Sequence, residues 1–201
     1  MKFWIICSGE TAKEAPGKCS GAEFDAWRAE RLGAGVVKGE AHAVKANGRA
    51  VYCSPRPAAG ETAAMLVDAE AIPELMLDEI GRRAGSAEKK LPAWLWASPD
   101  ADAKDEARCR ADELIDRLER QGKDCILVSH PRMIELLMDR LRVRGYVAQR
   151  TGFGRVRPWE QMLLSRRDEH CGFCNHNCLL TNPGCDIGRD KARRQGVKIR
   201  K

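Results

Sequence analysis

Two short apolar runs, each stopping abruptly at small polar residues, constrain this chain more than any other feature. FWIIC at 3–7 runs into Ser8-Gly9-Glu10-Thr11, and CILVS at 125–129 runs into His130-Pro131. Uninterrupted apolar runs bounded by turn formers read as strands buried on both faces, the kind found in parallel sheets covered by helices. In such sheets the strand ends carry phosphate-binding and nucleophilic groups. The opening stretch therefore has the form of a catalytic loop, and the question is whether it has the chemistry.

The segments between these runs supply the covering helices. Residues 23–31 are predicted helical, with Ser20 and Glu23 at capping-box spacing. Residues 49–53 (RAVYC) read as a strand ending at Ser54-Pro55, followed by a helix over 59–67. Residues 77–80 read as a strand or turn, and the Pro-, Ala- and Trp-rich stretch 86–102 as an excursion from the sheet. Over 103–120 the residues Ala107, Ala111, Leu114, Ile115 and Leu118 fall on one helical face, with Gly122 as the stop. A helix over 132–142 and a strand over 159–165 complete the pattern. Alternating strands and helices predict an α/β fold with a mostly parallel central sheet. The length of 201 residues suits one such domain, 1–165, with a small appendage, 166–201.

Several of these strand ends resemble the histidine phosphatase superfamily, which includes the phosphoglycerate mutases. That family opens on a strand ending in Arg-His-Gly-Glu-Thr, continues with a Ser-Pro strand end, an Arg-Ala pair and a Thr-Ala pair, and closes on Ser-His-Gly. Here Gly9-Glu10-Thr11, Ser54-Pro55, Thr62-Ala63 and Val128-Ser129-His130 match in order, and Leu77-Asp78-Glu79-Ile80 is similar to the segment bearing the proton donor. The resemblance covers about residues 1–165 and implies a three-layer α/β/α sandwich. It also implies a pocket drawn from Ser8, Glu79 and His130, with Cys7, Gly9 and Arg56 in ligand-binding positions.

The departures decide the expected activity. Cys7 stands where the family has a phosphate-binding Arg, Ser8 where it has the nucleophilic His, and Ala58 where it has a second pocket Arg; Arg56 lies two residues earlier. Phosphoryl transfer to an enzyme needs an activated nucleophile and fixed positive charge on the phosphoryl oxygens. A serine hydroxyl is a poor nucleophile without an adjacent base, and one lost electrostatic donor typically costs about 2.7–4 kcal/mol of transition-state stabilisation. The expectation is an impaired phosphatase that binds a small anionic ligand or a protein partner. The alternative is a phosphohydrolase using Ser8 or Cys7 with His130 and Glu79. Cys7, Cys53 and His130 could also form a zinc or redox site, or the two thiols could be ordinary core residues.

After the domain, Cys171, Cys174, Cys178 and Cys185 stand at C-x2-C-x3-C-x6-C spacing, with Asn182-Pro183-Gly184 as a turn. Four thiolates so close together suit one tetrahedral zinc or one [4Fe–4S] cluster, and the sequence leaves both open. The reading is a cysteine-rich metal-binding module, whose cluster would serve metal or redox sensing; the further alternative is a redox protein that uses an iron–sulfur cluster. Of the formal net charge of +6, the segment from Arg166 to Lys201 carries +5. Lacking interleaved aromatics, this tail argues against nucleic acid as partner. No apolar run reaches membrane-spanning length and the N-terminus shows no secretory signal, so a cytoplasmic location is expected.

Overall fold

A computed structural model describes residues 1–37, 39, 41–81, 84–85, 87–97, 101–149 and 155–166. The expected metal ligands Cys171, Cys174, Cys178 and Cys185, and the basic tail, lie outside the described residues.

The chain opens with β1 (Lys2–Cys7), a short β2 (Lys18–Cys19) and α1 (Gly21–Leu32). β3 (Ala50–Cys53), α2 (Pro57–Leu66), β4 (Ala71–Pro73) and a single 3-10 turn (Leu75–Leu77) follow. Then come β5 (Leu91–Pro92), α3 (Ala93–Trp96), α4 (Ala101–Gln121), β6 (Cys125–Ser129), α5 (Pro131–Val143), β7 (Tyr146–Gln149) and β8 (Gln161–Arg166). Among the described residues the main sheet has six strands in the order β4-β3-β6-β1-β8-β7. β4, β3, β6 and β1 run parallel, while β8 is antiparallel to β1 and to β7. β2 and β5 form a separate two-stranded antiparallel ribbon that ties the segment before α1 to the Pro- and Trp-rich excursion.

Local chemistry accounts for the element ends. Ser20 Oγ accepts from the Glu23 amide while the Glu23 carboxylate accepts from the Ser20 amide, closing the expected capping box on α1. α2 starts at Pro57, earlier than expected, because proline's fixed φ and missing donor suit a first helical position. Gly122 after α4 and Gly145 after α5 sit at φ +65° and +87°, left-handed conformations that glycine adopts without a Cβ penalty. Leu75–Leu77 is a 3-10 turn, so the stretch around Leu77 turns the chain. The strand expected at Trp159 begins at Gln161; Trp159 itself has φ +65° and stands outside it.

The apolar residues of the strands alternate between two cores. Phe3, Ile5 and Cys7 of β1, with Cys125 and Leu127 of β6, pack against the apolar stripes of α4 and α5. Ile6, Val51, Cys53, Ile126 and Val128 pack on the opposite face against Ala59, Ala63 and Leu66 of α2. The five positions expected on the buried face of α4 are those the structure buries. α1 joins through a smaller cluster in which Phe24 meets Cys19, Ala93 and Trp96. Among the described residues no helix is long and apolar enough to cross a membrane.

Candidate functional site

The site follows from register. β1 and β6 are parallel with Cys7 opposite Ser129, and the Ser8 amide donates to the Ser129 carbonyl at 2.8 Å. The next residues, Ser8 and His130, therefore emerge side by side. β3 lies on the other side of β6, and the Ser54 amide donates to the Val128 carbonyl at 2.9 Å. These three strand ends converge on the imidazole. Ser8 Oγ lies 3.2 Å from His130 Nδ1, and Ser54 Oγ lies 3.0 Å from His130 Nε2. Ser8, Ser54 and His130 are only 3%, 1% and 4% exposed, so the trio is sealed within the end of the sheet.

Two further contacts hold the loop in place. The Gly9 amide donates to Thr62 Oγ1 at 2.9 Å, and that hydroxyl donates to the Ala58 carbonyl at 2.6 Å. Thr62 thus ties the Ser8-Gly9 loop to the first turn of α2, and Ala58 is buried there with no charged side chain to offer. The Trp159 indole covers Gly9: a Cβ on Gly9 would lie 2.2 Å from the ring, and one on Gly39 would lie 2.3 Å from it.

Burial holds the His130 pKa below its ordinary value, partly opposed by the carboxylates of Glu79 and Asp78, while Arg31 and Arg56 push it further down. The imidazole is therefore neutral at pH 7, with one N–H to donate and one lone pair to accept. Both guanidiniums felt at this ring are bound elsewhere. Arg56 Nε and Nη2 each reach a carboxylate oxygen of Asp78 at 2.7 Å, and Arg31 Nη1 lies 3.2 Å from Glu79 Oε1. Burial alone would push the Asp78 carboxyl up; its hydrogen bonds from Arg56 and from the Glu79 amide hold it below the ordinary carboxylate value.

The structure thus brings together Ser8, His130, Gly9 and, within electrostatic reach, Glu79 and Arg56. It does not bring in Cys7. That thiol lies in the core under α4 and α5, fully buried, and desolvation pushes its pKa up, so it is neither a nucleophile nor a ligand at the strand ends. Cys53 lies in the opposite core, because it pairs with Val128 whereas Cys7 pairs with Ser129, and adjacent strand positions face opposite ways. The alternative of a joint Cys7–Cys53–His130 zinc or redox site is corrected on that ground, and Cys53 is the buried core residue that the other reading took it for. Among the described residues no three His, Cys, Asp or Glu side chains come together as a possible metal site.

Sequence reasoning missed Ser54 as the second partner of His130, Asp78 as the carboxylate that occupies Arg56, and Trp159 as the cover on Gly9. Ser54 was legible in part, since it ends a strand adjacent to the one that carries His130. Next to the trio, α1, Glu79 and the start of α5 enclose a cleft of about 210 Å³ lined by Arg28, Arg31, Arg132 and Glu79.

Chemically, a serine hydroxyl against an imidazole nitrogen is the contact that general-base activation requires. Here the second nitrogen meets a hydroxyl rather than a carboxylate, so no anion bonded to the ring stabilises an imidazolium. Burial further disfavours the protonated ring. The trio is consequently a weak base–nucleophile pair. No family model, no curated protein and no solved structure matches this chain.

Proposed function

We propose that this chain is a histidine phosphatase-like protein of three-layer, phosphoglycerate mutase-like architecture that has lost phosphoryl transfer and acts by binding a small anion or a protein partner. One observation carries the reading: His130 is buried with both ring nitrogens engaged by Ser8 and Ser54, while Arg56 and Arg31 are committed to Asp78 and Glu79. A phosphoryl group at these strand ends would meet neither a free imidazole nor a free guanidinium clamp. The parallel run of β4, β3, β6 and β1, with core on both faces, supports the architectural part.

The test is hydrolysis of an aryl phosphate by the wild-type chain and by Ser8→Ala and His130→Ala, with intact-mass detection of any phosphorylated protein. The expected result is no turnover above buffer and no adduct. Turnover that disappears in either variant overturns the reading. It would instead support the second reading, a phosphohydrolase with Ser8 as nucleophile, His130 as base and Glu79 as acid, which the 3.2 Å Ser8–His130 contact favours.

The four cysteines 171, 174, 178 and 185 are proposed to hold one zinc ion or one [4Fe–4S] cluster, stabilising a C-terminal module and offering a metal- or redox-sensing element. Metal and sulfide analysis of protein purified without air separates the two. A metal-free protein with four titratable thiols in this segment overturns both.

A further inference from the structure

We infer that the cleft between the turn at 157–160 and the segments around Glu10 and Val37 binds a small zwitterion, a molecule with an ammonium and a carboxylate on one short aliphatic frame. Arg157 and the Trp159 indole N–H hold the carboxylate, and Glu10 holds the ammonium. The site goes beyond the strand-end reading and does not depend on it, since neither Ser8 nor His130 takes part.

The turn puts a tryptophan where its backbone resists one. Arg157-Pro158-Trp159-Glu160 is closed twice: the Glu160 amide donates to the Arg157 carbonyl at 3.2 Å, and the Arg157 amide donates to the Glu160 carboxylate at 2.9 Å. Trp159 follows the proline with φ +65°. Proline followed by a positive φ is the pattern of a type II turn, whose third position ordinarily takes glycine or asparagine. A bulky residue there is held against its own preference by its surroundings. The result is a placed ring. The indole lies against Gly9 and Gly39, neither of which has room for a Cβ beside it, and it walls a cleft of about 490 Å³. That volume falls in the range of small-molecule sites.

The polar groups around this cleft are unused. Trp27 Nε1 donates to the Glu14 carbonyl and Trp96 Nε1 to the Cys19 carbonyl, whereas Trp159 Nε1 has no acceptor among the described residues. Glu10 and Arg157 line the same cleft, and among the described residues neither side chain makes an ion pair or hydrogen bond. The turn therefore offers two donors, one of them charged, and the segment at Glu10 offers an anionic acceptor. A lone anion is repelled by Glu10 and a lone cation by Arg157, whereas a zwitterion satisfies both. Pro158 and Val37, which is 47% exposed, supply apolar surface for its carbon frame.

The walls are fixed by backbone bonds. The Val37 amide donates to the Glu10 carbonyl at 2.8 Å, and Thr11 bridges to Val36. The Cys7 amide donates to the Glu160 carbonyl at 2.8 Å, which anchors the turn to the end of β1. Such a pre-formed site has little ordering cost on binding.

The experiment is isothermal titration calorimetry of the full chain with glycine and, separately, with 4-aminobutyrate. Butyrate and butylamine serve as analogues that carry one charge each. The expected result is saturable binding of at least one zwitterion, with both analogues about tenfold weaker or more, the loss expected for a charge-assisted hydrogen bond. Arg157→Gln and Glu10→Gln should each weaken zwitterion binding by a similar factor, and Glu10→Gln should narrow the gap between 4-aminobutyrate and butyrate. Trp159→Phe, which keeps a ring and removes the N–H, should weaken binding too, whereas Arg108→Gln on the exposed side of α4 should not. Thermal melts of each variant confirm folding. The proposal is overturned if neither zwitterion saturates, or if butyrate or butylamine binds as tightly as the zwitterions. It is also overturned if binding survives both Arg157→Gln and Glu10→Gln in folded protein.

Discussion

Arg56 and Asp78 form a two-point ion pair, with Nε and Nη2 of the guanidinium each 2.7 Å from a carboxylate oxygen. The pairing takes the strand-end guanidinium expected to bind ligand and assigns it to structure. Bidentate geometry strengthens the pair, and partial exposure at 39% for Arg56 screens it. A double-mutant cycle of Arg56→Ala and Asp78→Ala, read by urea unfolding, should give a coupling of about 1 kcal/mol. Asp78→Ala should be the costlier single change, because Asp78 also accepts from the Glu79 amide at 2.7 Å. A coupling indistinguishable from zero would show that the guanidinium is available to a ligand after all.

Acid should weaken the fold through His130. Its folded pKa is depressed by burial, so between that value and the ordinary 6.5 the unfolded chain binds more protons than the folded one. The stability it contributes is fully present above about 6.5 and is lost as pH falls from there toward the folded pKa. Carboxylates held low, such as Asp78 and Asp112, lose their share only at more acidic pH. Urea midpoints measured across this interval should fall for the wild type and fall less for His130→Asn. Equal slopes in the two proteins would mean that the imidazole is not the titrating group.

What was legible in the sequence divides along physical lines. The β6 run and the α4 stripe announced themselves because burial on two faces, or on one helical face, leaves a periodic signature. β4 and β7 left none: Ala71–Pro73 is too short, and Tyr146–Gln149 lies at the sheet edge. The Ser8–His130 pairing was recoverable because both residues end buried parallel runs. The placement of Cys7 and Cys53 was not, since it depends on a register difference of one residue between Ser129 and Val128, and one residue reverses the face. The ion pairs of Arg56 and Arg31 join segments distant along the chain, which composition and spacing do not encode. The cleft arginines were half visible, as an i, i+3 pair on α1, but only the fold brings Arg132 to them.

Gly9 has little room for a side chain. Its hypothetical Cβ would lie 2.2 Å from the Trp159 ring, and that ring is also confined by Gly39. Gly9→Ala should therefore destabilise by roughly 1–3 kcal/mol, the usual cost of overpacking, and shift tryptophan emission as the indole is displaced. In the background of Trp159→Ala the same change should cost far less. Additive costs would mean that the glycine is needed for its backbone and not for the approach of the ring.

The two serines around His130 should be unequal to each other. A neutral imidazole has one donor and one acceptor nitrogen, so one hydroxyl donates to the ring and the other accepts from it. Ser8→Ala and Ser54→Ala should each cost about 1–3 kcal/mol, because each leaves a ring nitrogen buried without a partner. Ser54 also accepts from the Arg56 amide at 3.4 Å, so its removal disturbs a second group and should be the worse of the two. Nitrogen-15 chemical shifts of the ring identify which nitrogen carries the proton. A protonated Nε2 would make Ser8 the donor and Nδ1 the acceptor, the arrangement a base-activated serine requires. A protonated Nδ1 in wild-type protein would place the proton between His130 and Ser8 on the wrong atom for that chemistry. Aryl phosphate turnover accompanied by that tautomer would then have to come from somewhere other than this pair.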